Sequence, residues 1–208
     1  VQNADLLLIL GSRMSIPNVG YQSHLFSPNS IKIMVDIDQE EMDKPTIKID
    51  YPINEDLHKF MSKLLVTLTL ADTKSDVTPL PNFYSWIKKT QEWKKKYPVF
   101  QSGYEEVPNR KSINSYHFME LLSKELTNNH IIVTDMGTSY TCTMQALKMN
   151  GKNRLFTSSA CCSMGFGLPG AIGAYFADPT KEIILIAGDG GFQMTLQELG
   201  VWSQWNIA

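Results

Sequence analysis

The run Gly188-Asp189-Gly190-Gly191 sets one carboxylate between glycines, directly after the apolar stretch Glu182-Ile183-Ile184-Leu185-Ile186-Ala187. Glycines permit a tight turn, and a helix opening just after such a turn presents free backbone N–H groups that attract a phosphate. A carboxylate there can hold a divalent cation against that phosphate, as magnesium is usually held by one or two protein oxygens plus phosphate oxygens and water. The same residues also fit an Asp N-cap that binds nothing, and Gly-Asp-Gly alone leaves both readings open. Two other polar turns follow strand-like runs: Asp135-Met136-Gly137-Thr138-Ser139 and Ser158–Met164. Open parallel sheets bind ligands beyond the carboxyl ends of their strands, so these three turns form the candidate site. Cys161 and Cys162 are adjacent, poorly placed for an unstrained bridge, and read as small, buried and inert. Met164 beside glycine reads most simply as core filling. His24, His58, His117 and His130 lie on separate elements without metal spacing and read as surface or satisfied histidines.

The elements that must position these turns follow an α/β pattern. Leu6–Leu10 is a continuous apolar run ended by Gly11, as expected of a strand buried on both faces. Residues 31–38 give a second strand and Thr46–Asp50 a short third, with one helical turn at Gln39-Glu40-Glu41-Met42 between them. Asn54-Glu55-Asp56 opens an amphipathic helix carrying Leu57, Phe60, Met61, Leu64 and Leu65. Parallel strands joined by crossovers describe the second half of a doubly wound domain, with one flank of its sheet unpaired. Residues 71–111 change character: Pro79, Pro81, a helix-like stretch from Phe83 to Lys96, then Pro98, Gly103 and Pro108 read as an interdomain connector. Lys94-Lys95-Lys96 fits a solvated helix end at the negative pole of the helix dipole. From Ser112 a second α/β block begins, with Asn114 capping a helix that carries Phe118, Leu121, Leu122 and Leu126. Strands at His130–Thr134, Arg154–Thr157 and Glu182–Ala187 follow. A helix crowded with small residues lies between the last two, and another runs from about Gln193 to Trp202.

At 208 residues, with 43% hydrophobic and 19% charged, the chain has room for one or two domains with ordinary cores. Lys and Arg number 19 against 21 Asp and Glu, a formal charge of -2, so no basic footprint for nucleic acid is present. The longest apolar runs are strand-sized, too short to span a bilayer. Three cysteines make no disulfide framework, which points to a reducing compartment, most simply the cytoplasm. Both chain ends read as cut rather than finished, so an internal piece of a longer polypeptide is expected.

Thr157-Ser158, then Ser163-Met164-Gly165-Phe166-Gly167-Leu168-Pro169-Gly170-Ala171-Ile172-Gly173-Ala174, then Gly188-Asp189-Gly190-Gly191-Phe192-Gln193-Met194-Thr195-Leu196-Gln197-Glu198-Leu199 resembles the diphosphate-binding domain of thiamine diphosphate-dependent enzymes. The nearest branch is the acetolactate (acetohydroxyacid) synthase-like group. Ala4-Asp5-Leu6-Leu7-Leu8-Ile9-Leu10-Gly11-Ser12-Arg13 and Val35-Asp36-Ile37-Asp38 resemble the end of that group's central domain. The resemblance implies doubly wound parallel sheets: residues 1–70 as the C-terminal half of a central Rossmann-like domain, 71–111 as connector, and 112–208 as a partial diphosphate-binding domain. It further implies that Asp189 ligates the magnesium ion bridging the cofactor diphosphate, while Gly190 and Gly191 offer N–H groups to that diphosphate. Thr138 and Ser139 fall in the turn that contacts the phosphate end from the other side, where acetolactate synthases usually carry Gln-His. Met164 matches the apolar residue that props the cofactor in its V shape. Cys162 matches a position, commonly Gly, whose carbonyl accepts a hydrogen bond from the cofactor's 4′-amino group.

The activity so implied is decarboxylation of a 2-oxo acid with carboligation, in a homodimer or homotetramer. Decarboxylation without ligation is the alternative, and a non-catalytic nucleotide- or flavin-binding module the rival of another class. The family's second metal ligand, an Asn beyond the Gly-Asp-Gly turn, and its glutamate from an N-terminal domain have no counterpart in these residues. FAD use is not carried by the sequence: Gly11-Ser12-Arg13 is no full dinucleotide fingerprint, and Pro17 stands where flavin-binding relatives tend to carry an Arg.

Overall fold

The computed structural model describes residues 1–73, 82–104 and 112–207, and the chain divides into two units, 1–83 and 84–208. In the first, β1 (Leu6–Leu10), β2 (Ile31–Asp36) and β3 (Tyr51–Asn54) form a parallel sheet in that order, Leu6 opposite Ile31 and Ile33 opposite Tyr51. A one-turn helix α1 (Ile16–Val19) and a 3-10 turn at Ser23–Leu25 lead from β1 to β2; α2 (Gln39–Met42) leads from β2 to β3, and α3 (Leu57–Thr73) follows. Ile9, Met14, Val19, Met34 and Met42 make the core.

Three expectations for this unit are corrected. The third strand is Tyr51–Asn54, not Thr46–Asp50. Ile47 and Ile49 spend their apolar character packing on the Met34–Met42 core, and Asp50 accepts the Lys32 N–H at 2.9 Å before the ladder begins. Pro52 is tolerated in β3 because this is an edge strand, whose second side needs no ladder donors. The second strand stops at Asp36 rather than Asp38: Asp36 Oδ1 takes the Asp38 N–H at 3.0 Å, and Asp38 caps α2 through the Glu40 N–H. Finally, β1 is not buried on both faces. Leu6 and Leu8 are 55% and 44% exposed, while Ile9 on the other face is buried. The apolar stripe of α3 is likewise half open, with Phe60 and Leu64 part-buried and Met61 and Leu65 exposed.

The second unit opens with α4 (Tyr84–Lys96), where Trp86 and Trp93 meet edge to face at 5.8 Å. Of the residues read as connector, 74–81 and 105–111 lie outside those described, Pro79, Pro81 and Pro108 among them. Helix α5 (Ser115–Glu125) starts as expected at Asn114, whose side chain accepts the Tyr116 and His117 N–H groups. Then come β4 (His130–Thr134), α6 (Thr138–Ala146), β5 (Arg154–Phe156), α7 (Gly167–Ala177) and β6 (Glu182–Ile186). The sheet is parallel throughout with order β5-β4-β6. Its two faces are served by different helices. Val133 and Leu185 pack with Ala171 and Ala174 of α7, whereas Ile186 packs with Met119, Cys142 and Ala146 of α5 and α6.

Small residues in α7 are dictated by this packing. A Cβ on Gly170 would lie 3.1 Å from the Phe166 ring and 3.2 Å from Val133, so the helix rides close on β4. The last helical segment differs from expectation. α8 (Asp189–Met194) starts at Asp189 itself, a 3-10 turn covers Leu196–Glu198, and α9 (Leu199–Gln204) follows. Thr195, with φ -129°, separates α8 from that turn, breaking what the apolar spacing suggested was one helix.

Candidate functional site

The order β5-β4-β6 places successive connections on opposite sides of β4, so the strand order reverses between β4 and β6. Such a switch point opens a crevice at the carboxyl ends of the strands. The residues immediately beyond those ends are Asp135 and the Ala187–Gly188 pair, and Asp135 N–H donates to Ile186 C=O at 2.9 Å to hold them side by side. An open cleft of about 360 Å³ lies here, walled by Thr138 and Ser139 on one side and Ile186, Ala187 and Gly188 on the other. The more spacious hollow in this unit, about 530 Å³, lies along β5 and α7 and touches none of the sequence-predicted site residues.

Asp189 is the first residue of α8, exposed, with Gly188 as N-cap. The capping alternative is therefore wrong for this side chain: it follows the cap instead of being it, and its carboxylate stays open to solvent. The N–H groups of Asp189, Gly190 and Gly191 belong to the first turn, which has no intrahelical carbonyl to bond. The three glycines answer to different demands. At Gly188 a Cβ would meet nothing within 4 Å, and at Gly190 only the Met164 Cε at 3.6 Å, so the fold does not require glycine at either position. At Gly191 a Cβ would strike Asp135 Oδ1 at 2.5 Å, so packing demands glycine there. Glycines that packing does not need, at an open helix start, leave the backbone free for close approach by a ligand.

Met164 is 55% exposed, its methyl toward Gly190, and so is not the core filler that methionine usually is. Cys161 and Cys162 are both free and exposed, which overturns the expectation that their side chains are buried. They lie in a turn in which Cys162 N–H bonds Ser158 C=O at 2.8 Å and Cys162 takes φ +50°, in the left-handed region. No donor among the described residues meets the Cys162 carbonyl. Ser139 is less available: its hydroxyl donates at 3.0 Å to both Asp135 and Met136 carbonyls, so it serves the α6 start. Thr138 is exposed on the cleft.

The histidines are mostly as expected. His130 is satisfied by Glu182 at 3.0 Å and by the Thr127 N–H at 2.9 Å. His117 departs from the expectation, because its Nδ1 is buried without a partner among the described residues. Within those residues no cluster of three or more His, Cys, Asp or Glu side chains could hold a metal by itself, and no helix is long and apolar enough to cross a membrane. A cation at Asp189 would need oxygens from a bound phosphate and water.

Within the candidate turn 135–139, Asp135 itself had no role assigned from the sequence. Asp135 is fully buried, and its carboxylate accepts the N–H groups of Met136 at 2.7 Å, Gly165 at 3.1 Å and Gly167 at 2.7 Å. The available signal was an Asp closing a buried strand, together with glycines at 165, 167 and 191 that flank the other two turns. Thus the structure brings Asp189, Gly190, Gly191, Met164, Thr138 and Ser139 to one end of one sheet, with Cys162 on the neighbouring turn. A diphosphate-bearing cofactor fits this donor set: free N–H groups, an open carboxylate, an exposed apolar side chain and an unclaimed carbonyl.

Comparison with known proteins agrees with the geometry. Residues 135–208 match the family described as thiamine pyrophosphate enzyme, C-terminal TPP binding domain, and residues 1–64 match thiamine pyrophosphate enzyme, central domain. The chain is 35% identical over 205 residues to the acetolactate synthase large subunit of Lactococcus lactis subsp. lactis (strain IL1403), covering 99% of the chain and 33% of that protein. It is 33% identical over 208 residues to the acetolactate synthase large subunit of Pyropia yezoensis, covering 100% and 33%. Against acetolactate synthase isozyme 1 large subunit of Escherichia coli (strain K12) it is 29% identical over 208 residues, covering 98% and 33%. The chain therefore spans about a third of the length of the curated relatives it matches. Two family domains matched in order lead to one conclusion: the chain belongs to the thiamine diphosphate-dependent enzymes, with sequence from their central and C-terminal domains.

Proposed function

We propose that the complete protein carries out thiamine diphosphate- and magnesium-dependent decarboxylation of a 2-oxo acid with carboligation, in the manner of the acetolactate synthases it resembles. The observation that carries this reading is the open, glycine-flanked Asp189 at the start of α8 with the Met164 methyl beside Gly190. When bound, thiamine diphosphate supplies the electron sink that makes loss of carbon dioxide from a 2-oxo acid possible. The chain's own residues do the holding. Asp189 takes the magnesium ion through its carboxylate, and the Gly190 and Gly191 N–H groups bind diphosphate oxygens at the positive end of the α8 dipole. Thr138 faces the phosphate end across the cleft. Met164 would support the bound cofactor through its exposed apolar side chain, and the Cys162 carbonyl would accept from the cofactor's 4′-amino group.

The domain division proposed is central-domain sequence at 1–70, connector at 71–111 and diphosphate-binding domain at 112–208. The family matches at 1–64 and 135–208 support it without fixing the connector's limits. A homodimer or homotetramer is proposed because the family completes its cofactor site from a neighbouring subunit. The reducing cytoplasm is proposed because Cys142, Cys161 and Cys162 are all free thiols. Calorimetric titration of the complete protein with thiamine diphosphate, with and without magnesium, tests the cofactor. Incubation with pyruvate then tests the chemistry. Saturable binding that needs magnesium, and a ligated product, are expected. Released aldehyde in place of that product would move the reading to simple decarboxylation, and FAD binding without thiamine diphosphate binding would overturn it.

A further inference from the structure

Asp135 is the one carboxylate at the site that faces no solvent, and none of the described ion pairs involves it. A buried carboxylate is costly unless hydrogen bonds satisfy it. Here the donors are three backbone N–H groups, two of them from the turn that follows Met164. Oδ1 accepts from Met136 and Gly165, and Oδ2 accepts from Gly167. Gly165 has φ +87°, which a side chain would strain, and its carbonyl is held in turn by the Thr195 hydroxyl at 3.0 Å. From the other side, Gly191 backs so closely on Asp135 that no Cβ fits between them. One carboxylate thus touches the residue after Met164 and the residue two beyond Asp189. It closes a clip across β4, the 158–166 turn and α8.

We infer that Asp135 is a positioning residue that keeps the turn bearing Cys162 and Met164 in register with the turn bearing Asp189. Fully buried, it offers no surface to a cofactor or substrate, and the inference rests on the cofactor reading above for its consequence. Loss of the clip leaves the Asp189 turn, and so diphosphate binding, largely in place. It lets the Met164 turn drift, and with it the support that bends the cofactor. The device is asymmetric: it governs the reacting half of the cofactor more than the anchored half.

The test uses the complete protein. In Asp135→Asn the side chain keeps its size, but one oxygen becomes an NH2 that cannot accept, so either Gly167 or the Met136 and Gly165 pair loses its partner. In the cofactor-free protein, hydrogen exchange at whichever of the Gly165 and Gly167 amides loses its acceptor should quicken by about tenfold or more, while β4 and β6 amides keep their protection. With cofactor and magnesium, thiamine diphosphate affinity should change by less than about threefold, while exchange of the bound cofactor's C2 proton slows by about tenfold. Gly167→Ala, whose Cβ would lie 2.9 Å from Asp135 Oδ2, should reproduce both effects with the carboxylate retained. The double variant should be no worse than the worse single one, because both break one clip. If Asp135→Asn does not fold, Gly167→Ala carries the same two readouts. Unchanged amide exchange at 165 and 167, or equal losses in affinity and C2 exchange, would overturn the inference. Failure of the unmutated protein to bind thiamine diphosphate would instead overturn the functional reading, leaving the amide exchange to judge the clip.

Discussion

Asp189 and Met164 sit a turn apart at the site and are expected to fail differently. Asp189 is exposed at the first position of α8 and makes no cap, and in the proposed reading its carboxylate holds the cation that offsets the diphosphate charge. In the complete protein Asp189→Ala should leave folding intact and weaken magnesium-dependent thiamine diphosphate binding by roughly a hundredfold, the cost of a charge-assisted ligand. Titration with and without magnesium checks it, and equal affinity in both conditions would sink the metal assignment. Met164 offers only volume and apolar surface beside Gly190. Met164→Leu keeps both and should retain more turnover than Met164→Ala, whose loss should fall on kcat more than on cofactor affinity. Steady-state kinetics of the two variants decides; equal kcat values would return Met164 to ordinary packing.

At the scale of elements, α7 owes its close approach to the sheet to particular glycines, and they separate cleanly. A Cβ on Gly167 would lie 2.9 Å from Asp135 Cβ, Asp135 Oδ2 and Leu185 Cδ1, so helix, strand or clip must shift. Gly167→Ala should destabilise the fold by about 1–3 kcal/mol, as overpacking does. At Gly173, in the same helix, a Cβ meets nothing within 4 Å, so Gly173→Ala should stabilise by about 0.5–1 kcal/mol through helix propensity alone. Denaturant titration of the complete protein reads both, and shifts of the same sign would refute the packing account. The α5–α6 layer carries a pH signature as well. The Lys148 ammonium, 2.6 Å from Glu120, holds that carboxyl below the ordinary glutamate range by hydrogen bonding, against a smaller desolvation effect. A folded-state value below the unfolded one means the stabilisation is present above the ordinary value and lost as pH falls through the lowered one. Glu120→Gln should therefore flatten the acid limb of Tm against pH; an unchanged limb would show the pair contributes nothing.

For the molecule as a whole, what was legible in the sequence depended on whether local pattern and tertiary role coincide. The runs at His130–Thr134 and Glu182–Ile186 are apolar because the second unit's sheet is packed by helices on both faces, so pattern and strand agree. At Thr46–Asp50 they part, since Ile47 and Ile49 alternate to cover a core from outside the sheet, while the true strand carries Pro52. Asp189 was readable because glycines bracket it, whereas for Asp135 only its turn was, because two of its three donors lie 30 and 32 residues away. The same contrast predicts how these 208 residues behave by themselves. Among the described residues the first unit's sheet has three strands, with β1 paired on one side only and Leu6, Leu8 and Ile31 exposed in its parallel ladder. Around the site, Met164, Met194 and Leu196 are exposed together, and Phe176 and Trp205 meet edge to face on open surface. Apolar area of this kind, beside an unpaired strand edge, favours association over a closed monomer. Expressed alone, the 208 residues should associate or lack a sharp unfolding transition, and should not turn over 2-oxo acids. Light scattering behind size exclusion, with calorimetry, measures this directly. A monodisperse monomer that melts cooperatively and decarboxylates pyruvate would show that the exposed faces need no cover, and that these residues hold the whole of the catalytic machinery.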